Sequence, residues 1–210
     1  MRPLHQCLLL ALLCIARPLH AQVELVPYAG FYAPTSDFKL RPLPPNTGFG
    51  LATGKQETGI LLGGQARVWV TRRFGFQVGA AHAASDLKVS PQFTTAPDSS
   101  VEASLTILTF GGLMRFPVST LPNPIWAELG AAVVSRQGDV FDAYDNPRAV
   151  GGMIGLGTGL GLTDRLRADI SFRGIFYKLG LQDSLGSLPS RTHVDLMAHV
   201  GLSLQLGGDR

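Results

Sequence analysis

Beyond residue 14 the chain has no cysteine, because Cys7 and Cys14 both lie in its first 21 residues. Removal of that segment would therefore take all disulfide and thiol chemistry with it. No stretch after Ala21 holds the roughly 18 uninterrupted apolar residues of a membrane-crossing helix. A membrane could then be crossed only by a closed barrel of strands, since an open sheet would leave unpaired backbone groups in hydrocarbon. Charge is scarce as well: 16% of residues are Asp, Glu, Lys or Arg. The formal net charge of +3 falls to +1 once Arg2 and Arg17 are removed, which gives no basic surplus for nucleic acid, and no nucleic-acid partner is expected.

What is present begins with a leader. Arg2 precedes an apolar run from Cys7 to Ala16, and the small Ala21 precedes Gln22, which reads as a signal peptide over residues 1–21. Cys14 follows Leu12 and Leu13 rather than the small residue that precedes a lipid-modified cysteine, so no lipid anchor is expected. Residues 22–210 are expected to form one domain.

In residues 192–206, Val194, Leu196, Ala198, Val200, Leu202, Leu204 and Leu206 alternate with His193, Asp195, Met197, His199, Gly201, Ser203 and Gln205. A period of two over that length places one apolar wall and one mostly polar wall on a single strand. Soluble strands run to about 5 or 6 residues, whereas a tilted transmembrane strand needs about 9 to 11. Related alternation recurs over residues 23–33, 60–71, 73–83, 102–116, 125–136, 150–162 and 166–177, which brings the count to eight. Over 102–116, Glu102, Ser104 and Thr106 ask for the inside in one register and Arg115 in the other, so a bulge is expected near Gly111 and Gly112. Short connections after the second, fourth and sixth segments alternate with long ones after the first, third, fifth and seventh, as turns at one rim and loops at the other would. Phe74, Phe116 and Trp126 fall beside the short turns, and Phe31, Tyr32, Phe176 and Tyr177 beside the long loops, as two aromatic girdles. The expected fold is all-β, an eight-stranded antiparallel up-and-down transmembrane β-barrel.

The start VPYAGFYAP at residues 26–34, the eight alternating segments and a last strand reaching almost to the end resemble the small outer-membrane β-barrel family that includes the OmpA-type membrane domain. The resemblance covers residues 22–210 and implies a place in the outer membrane of a Gram-negative cell envelope. It also implies outer-membrane lipid and the outer-membrane assembly machinery as partners; an extracellular partner is not specified. Members commonly finish on an aromatic residue, and here the chain runs Leu206, Gly207, Gly208, Asp209, Arg210. The peptidoglycan-binding domain of longer OmpA-like proteins is not expected to follow.

The inward set is Glu24, Arg67, Glu128, Arg136, Arg167, Asp169, Arg173, His193, Asp195 and His199. Opposite charges enclosed in so narrow a lumen must pair, so these residues are expected to form a structural network that plugs it. Gly155, Gly157, Gly159 and Gly161 are expected to make room for Arg and Trp side chains opposite. No catalytic residue, cofactor or metal ligand is expected. Some barrels of this family act on lipid A, and their deacylases pair a His with a Ser two residues later; His82, His193 and His199 lack such a Ser, and Ser85 is a poor substitute. His193 and His199 are about 20 Å apart along a strand and cannot share a ligand. Asp139, Asp142 and Asp145 beside Asn146 do not match a calcium loop. The proline-rich connection 34–59, with Lys39, Arg41 and Lys55, is where recognition would sit. The expected role is structural or surface-interacting and non-enzymatic. The alternatives are a soluble lipocalin-like barrel holding a small apolar ligand, with its apolar faces turned inward, and a lipid A-modifying barrel enzyme.

Overall fold

The computed structural model describes residues 22–40, 52–91, 99–117, 123–142, 144–145, 147–183, 186–188 and 190–206. The expected leader (1–21), Arg41 and the prolines at 42, 44 and 45, Asn146 and the terminal residues 207–210 lie outside these. The strands are β1 (Gln22–Pro34), β2 (Phe38–Leu40), β3 (Ala52–Gln56), β4 (Gly59–Trp69), β5 (Phe74–Pro91), β6 (Ser99–Phe116), β7 (Ile125–Gln137), β8 (Arg148–Gly161), β9 (Leu166–Leu179), β10 (Gln182–Asp183), β11 (Gly186–Ser187) and β12 (Arg191–Leu206). One helical turn, α1 (Asp139–Asp142), follows β7.

Eight of these strands close into a ring in the order β1, β4, β5, β6, β7, β8, β9, β12, every pair antiparallel. The ring shuts where β12 meets β1, with Val23 opposite Leu206 and Pro34 opposite Asp195. Closure removes the sheet edges, which is what lets a β structure stand in hydrocarbon.

Alternation assigns the two faces as the sequence pattern asks. Leu196, Val200 and Leu204 of β12 are 48%, 57% and 44% exposed on the outer wall, while Asp195 keeps 1% and Asp169 of β9 keeps 2%. Leu25, Phe31, Leu62, Phe76, Phe110, Leu129, Leu156 and Phe172 continue the outer apolar belt around the other seven strands. This orientation excludes the lipocalin-like alternative, which needs the same residues reversed.

The bulge expected in β6 is absent. Its ladder with β5 runs unbroken from Val89 opposite Ser99 to Phe74 opposite Met114, and its ladder with β7 is equally continuous. Arg115 sets the inward register, and Glu102, Ser104 and Thr106 stand on the outer face with Leu108 and Phe110. The conflict dissolves because β5 and β6 are longer than the belt. Glu102 lies beyond its upper edge, where outward charge meets water.

The second long connection is accordingly mostly strand, β5 reaching Pro91 and β6 starting at Ser99. Part of the first is the hairpin β2–β3, which joins the upper end of β5 by pairing Ala52 with Pro91 and Gln56 with Leu87. The lumen also differs from a uniformly polar interior. In its upper half Leu61, Ala83, Leu87, Leu105, Ile107, Val134, Met153 and Ile175 form an apolar core with Phe38 and Leu40 of β2. Three side chains assigned to the girdles, Trp126, Tyr32 and Tyr177, are inward and buried; Phe31, Phe74, Phe116 and Phe176 are outward.

The orientation predicts a depth-dependent penalty. Leu156→Arg, at mid-belt on β8, should cost about 2–4 kcal/mol in denaturant unfolding from phospholipid vesicles, and Leu162→Arg, at the belt's lower edge, no more than about 1. Equal costs at the two positions would contradict the assignment of this face to lipid.

Candidate functional site

All ten inward residues expected from the sequence lie in the lumen, gathered into three clusters stacked along the barrel axis. The lowest is built around Glu24 of β1. Its Oε1 accepts from Arg115 Nη2 and its Oε2 from Arg167 Nη2, both at 2.9 Å, and Arg67 Nη1 lies 3.8 Å from Oε2. Arg67 Nη1 donates to Asp169 Oδ2 at 2.5 Å, and Arg167 Nε to Asp169 Oδ1 at 3.0 Å. Three guanidiniums thus share two carboxylates, and the surplus positive charge lies against aromatic faces. Arg115 sits 3.5 Å from the Trp69 ring centre, and Arg67 sits 4.6 Å from that of Trp126.

The middle cluster joins Glu128 of β7 to Arg173 of β9. Glu128 Oε2 accepts from Arg173 Nε at 2.8 Å and from Gln77 Nε2 at 3.0 Å, while Arg173 Nη2 donates to Gln65 Oε1 at 3.0 Å. His199 lies against the Tyr28 ring, 4.2 Å between centres.

The upper cluster belongs to Arg136. Its Nη2 donates to Tyr177 Oη at 2.5 Å, Tyr177 Oη donates to Asp195 Oδ2 at 2.6 Å, and Arg136 to Asp195 is 3.4 Å. Gln56 Oε1, from the hairpin, accepts from Arg136 Nε at 3.2 Å. Phe38 covers the same guanidinium at 4.6 Å and stacks on His193 at 4.7 Å, and Phe141 of α1 meets it edge-to-face at 6.0 Å between ring centres. Phe38 of β2 and Gln56 of β3 therefore lie over the upper cluster.

Sequence reasoning left Arg115, Trp126, Tyr32, Tyr177, Gln65 and Gln77 out of this network. Strand parity would have found most of them, since Trp126 shares it with Glu128 and Arg136, Tyr32 with Glu24, and Tyr177 with Asp169 and Arg173. Of the glycine row, Gly155 faces the Glu128 carboxylate, Gly157 the Trp126 ring and Gly159 the Arg167–Asp169 pair, while Gly161 faces open space.

Among the described residues His82 and Ser85 do not form a pair. His82 points outward, with Nδ1 3.4 Å from Thr106 Oγ1, and Ser85 points inward and donates to the Glu57 carbonyl, so the two stand on opposite faces of β5. Asp139 and Asp142 belong to α1, and among the described residues no group of three His, Cys, Asp or Glu side chains could hold a metal.

No protein-family model matches the chain, and no curated protein matches it in sequence. In structure it is similar to the outer membrane protein OprG of Pseudomonas aeruginosa, with TM-score 0.62 and 11% identity over 89% of this chain and 96% of that one. It is also similar to a major outer membrane protein of Thermus thermophilus, with TM-score 0.55 and 13% identity over 89% and 99% of the two chains. At these identities the likeness is one of fold, and the fold is that of the small outer-membrane β-barrels.

Two substitutions test the lumen's packing and charge balance. Glu24→Ala leaves three arginines facing one carboxylate and should cost about 3–5 kcal/mol in denaturant unfolding, against a smaller loss for Arg115→Gln, which is partly exposed at the lower mouth. Gly157→Val would set a Cβ 2.5 Å from the Trp126 ring and should cost about 1–3 kcal/mol, whereas Gly161→Val should be neutral.

Proposed function

We propose that this protein is an integral outer-membrane β-barrel with a structural or surface-interaction role and no enzymatic activity, its lumen plugged by the charged network and roofed by the β2–β3 hairpin. One observation carries this reading: a continuous outer belt of exposed Leu, Val, Ile and Phe surrounds a lumen whose charges are paired with one another. A water-soluble barrel has no use for that belt, and lipid has no tolerance for those charges on the outside. Trp69, Trp126, Arg67, Arg136 and Tyr32 are fully buried and fill an interior of a width that eight strands leave for side chains alone. That supports a plug rather than a conducting channel. The outer-membrane lipid and the outer-membrane assembly machinery are the partners this reading requires. Surface interaction falls to the upper extension formed by β2, β3 and the ends of β5 and β6.

In mild detergent the folded protein should migrate differently on a gel before and after boiling, and in planar bilayers it should show no single-channel conductance. Identical migration together with full partition into a detergent-free aqueous phase would overturn the membrane reading. Steady conductance would overturn the plug.

A further inference from the structure

We infer that the upper rim of the barrel carries a binding face for the phosphates of an anionic outer-leaflet glycolipid, formed by Ser135, Arg148, Lys178 and Thr192 on the consecutive strands β7, β8, β9 and β12. This rests on the outer-membrane reading above and adds a lipid class and a location to it.

The register brings the four together. Ser135 is directly opposite Arg148, and Thr192 is directly opposite Lys178. Continuing the ladder in which Gly151 faces Tyr177 puts Arg148 two residues beyond the position opposite Lys178. Such diagonal neighbours have Cβ atoms about 7–8 Å apart, within reach of one phosphate for two long cationic side chains. Strand parity turns all four outward, and Arg148, Lys178 and Thr192 are exposed. No side-chain ion pair or side-chain hydrogen bond engages any of the four among the described residues.

Height supplies the second argument. One outward step below these residues stand Val133, Val150, Phe176 and Val194, the top of the apolar belt on the same four strands. The donors therefore begin where hydrocarbon ends, at headgroup level. Two cations flanked by two hydroxyls complement a phosphate, and basic side chains at a charged membrane surface attract its anionic headgroups.

The rim is not uniformly basic. On β5 and β6, Asp86 lies directly opposite Glu102, both exposed, and nearby Lys88 is engaged with Glu57 at 2.5 Å. Phosphates would be repelled from that side.

The full chain, inserted in phosphatidylcholine vesicles, can be titrated with lipid A bearing two phosphates and with its dephosphorylated form, and bound glycolipid counted by native mass spectrometry. The expected result is that wild type holds the phosphorylated lipid about tenfold more tightly than R148Q/K178Q does. R148K/K178R should retain binding, D86N/E102Q should not weaken it, and the dephosphorylated lipid should not distinguish wild type from R148Q/K178Q. Equal binding of the phosphorylated lipid by wild type and R148Q/K178Q, or equal binding of both lipids by wild type, would overturn the inference while leaving the barrel in its membrane. Failure of wild type to insert at all would overturn the outer-membrane reading and this face with it. Should R148Q/K178Q not insert, the wild-type comparison of the two lipids decides.

Discussion

Closure of the backbone ladder is the constraint from which the rest descends. Hydrocarbon offers no hydrogen bonds, so each strand within it must find partners on both sides, and the pairing of β12 with β1 completes that requirement. Once the ring is shut, each side chain has two destinations. Lipid accepts Leu196, Val200 and Phe172, and the lumen must take Glu24, Arg67 and Asp169. A space of eight-stranded width holds little solvent for five arginines, so their carboxylate and aromatic partners become part of the fold itself.

The three clusters differ in what surrounds the charge. At the lower mouth Arg115 and Arg167 keep some exposure, and an excess guanidinium is tolerated against Trp69 and Trp126. In the middle Glu128 and Arg173 form a single pair relayed through Gln65 and Gln77. At the top the Arg136–Asp195 pair is enclosed by Tyr177, Gln56 and Phe38, under a hairpin that brings apolar surface of its own. This layering is why the interior is apolar as well as polar. Above the middle cluster, inward side chains meet Phe38 and Leu40, and packing favours Leu105, Ile107 and Ile175 there.

Period-two alternation was enough to read the eight strands of the ring, their antiparallel order and the inward or outward sense of all ten network residues. It also gave Arg115 its inward sense, yet the bulge inferred from Glu102, Ser104 and Thr106 does not form in β6, because polarity on a strand has two meanings. Below the belt's edge an outward polar residue signals a register change, and above the edge it signals water. Aromatic position was equally ambiguous: Phe31 and Tyr32 are neighbours in sequence, one facing the belt and the other buried at the upper cluster.

The chain by itself determined the faces, since the sense of a side chain on a strand is a matter of counting by two from any residue whose destination is known. Which arginine meets which carboxylate was decided only by the closed barrel. Glu24 and Arg167 are brought together by the stagger of strands that lie far apart in the chain, and Phe38 reaches Arg136 only because β3 pairs with the overhanging end of β5. Alternation is local to one strand, whereas stagger and roof depend on contacts among strands that no periodicity encodes.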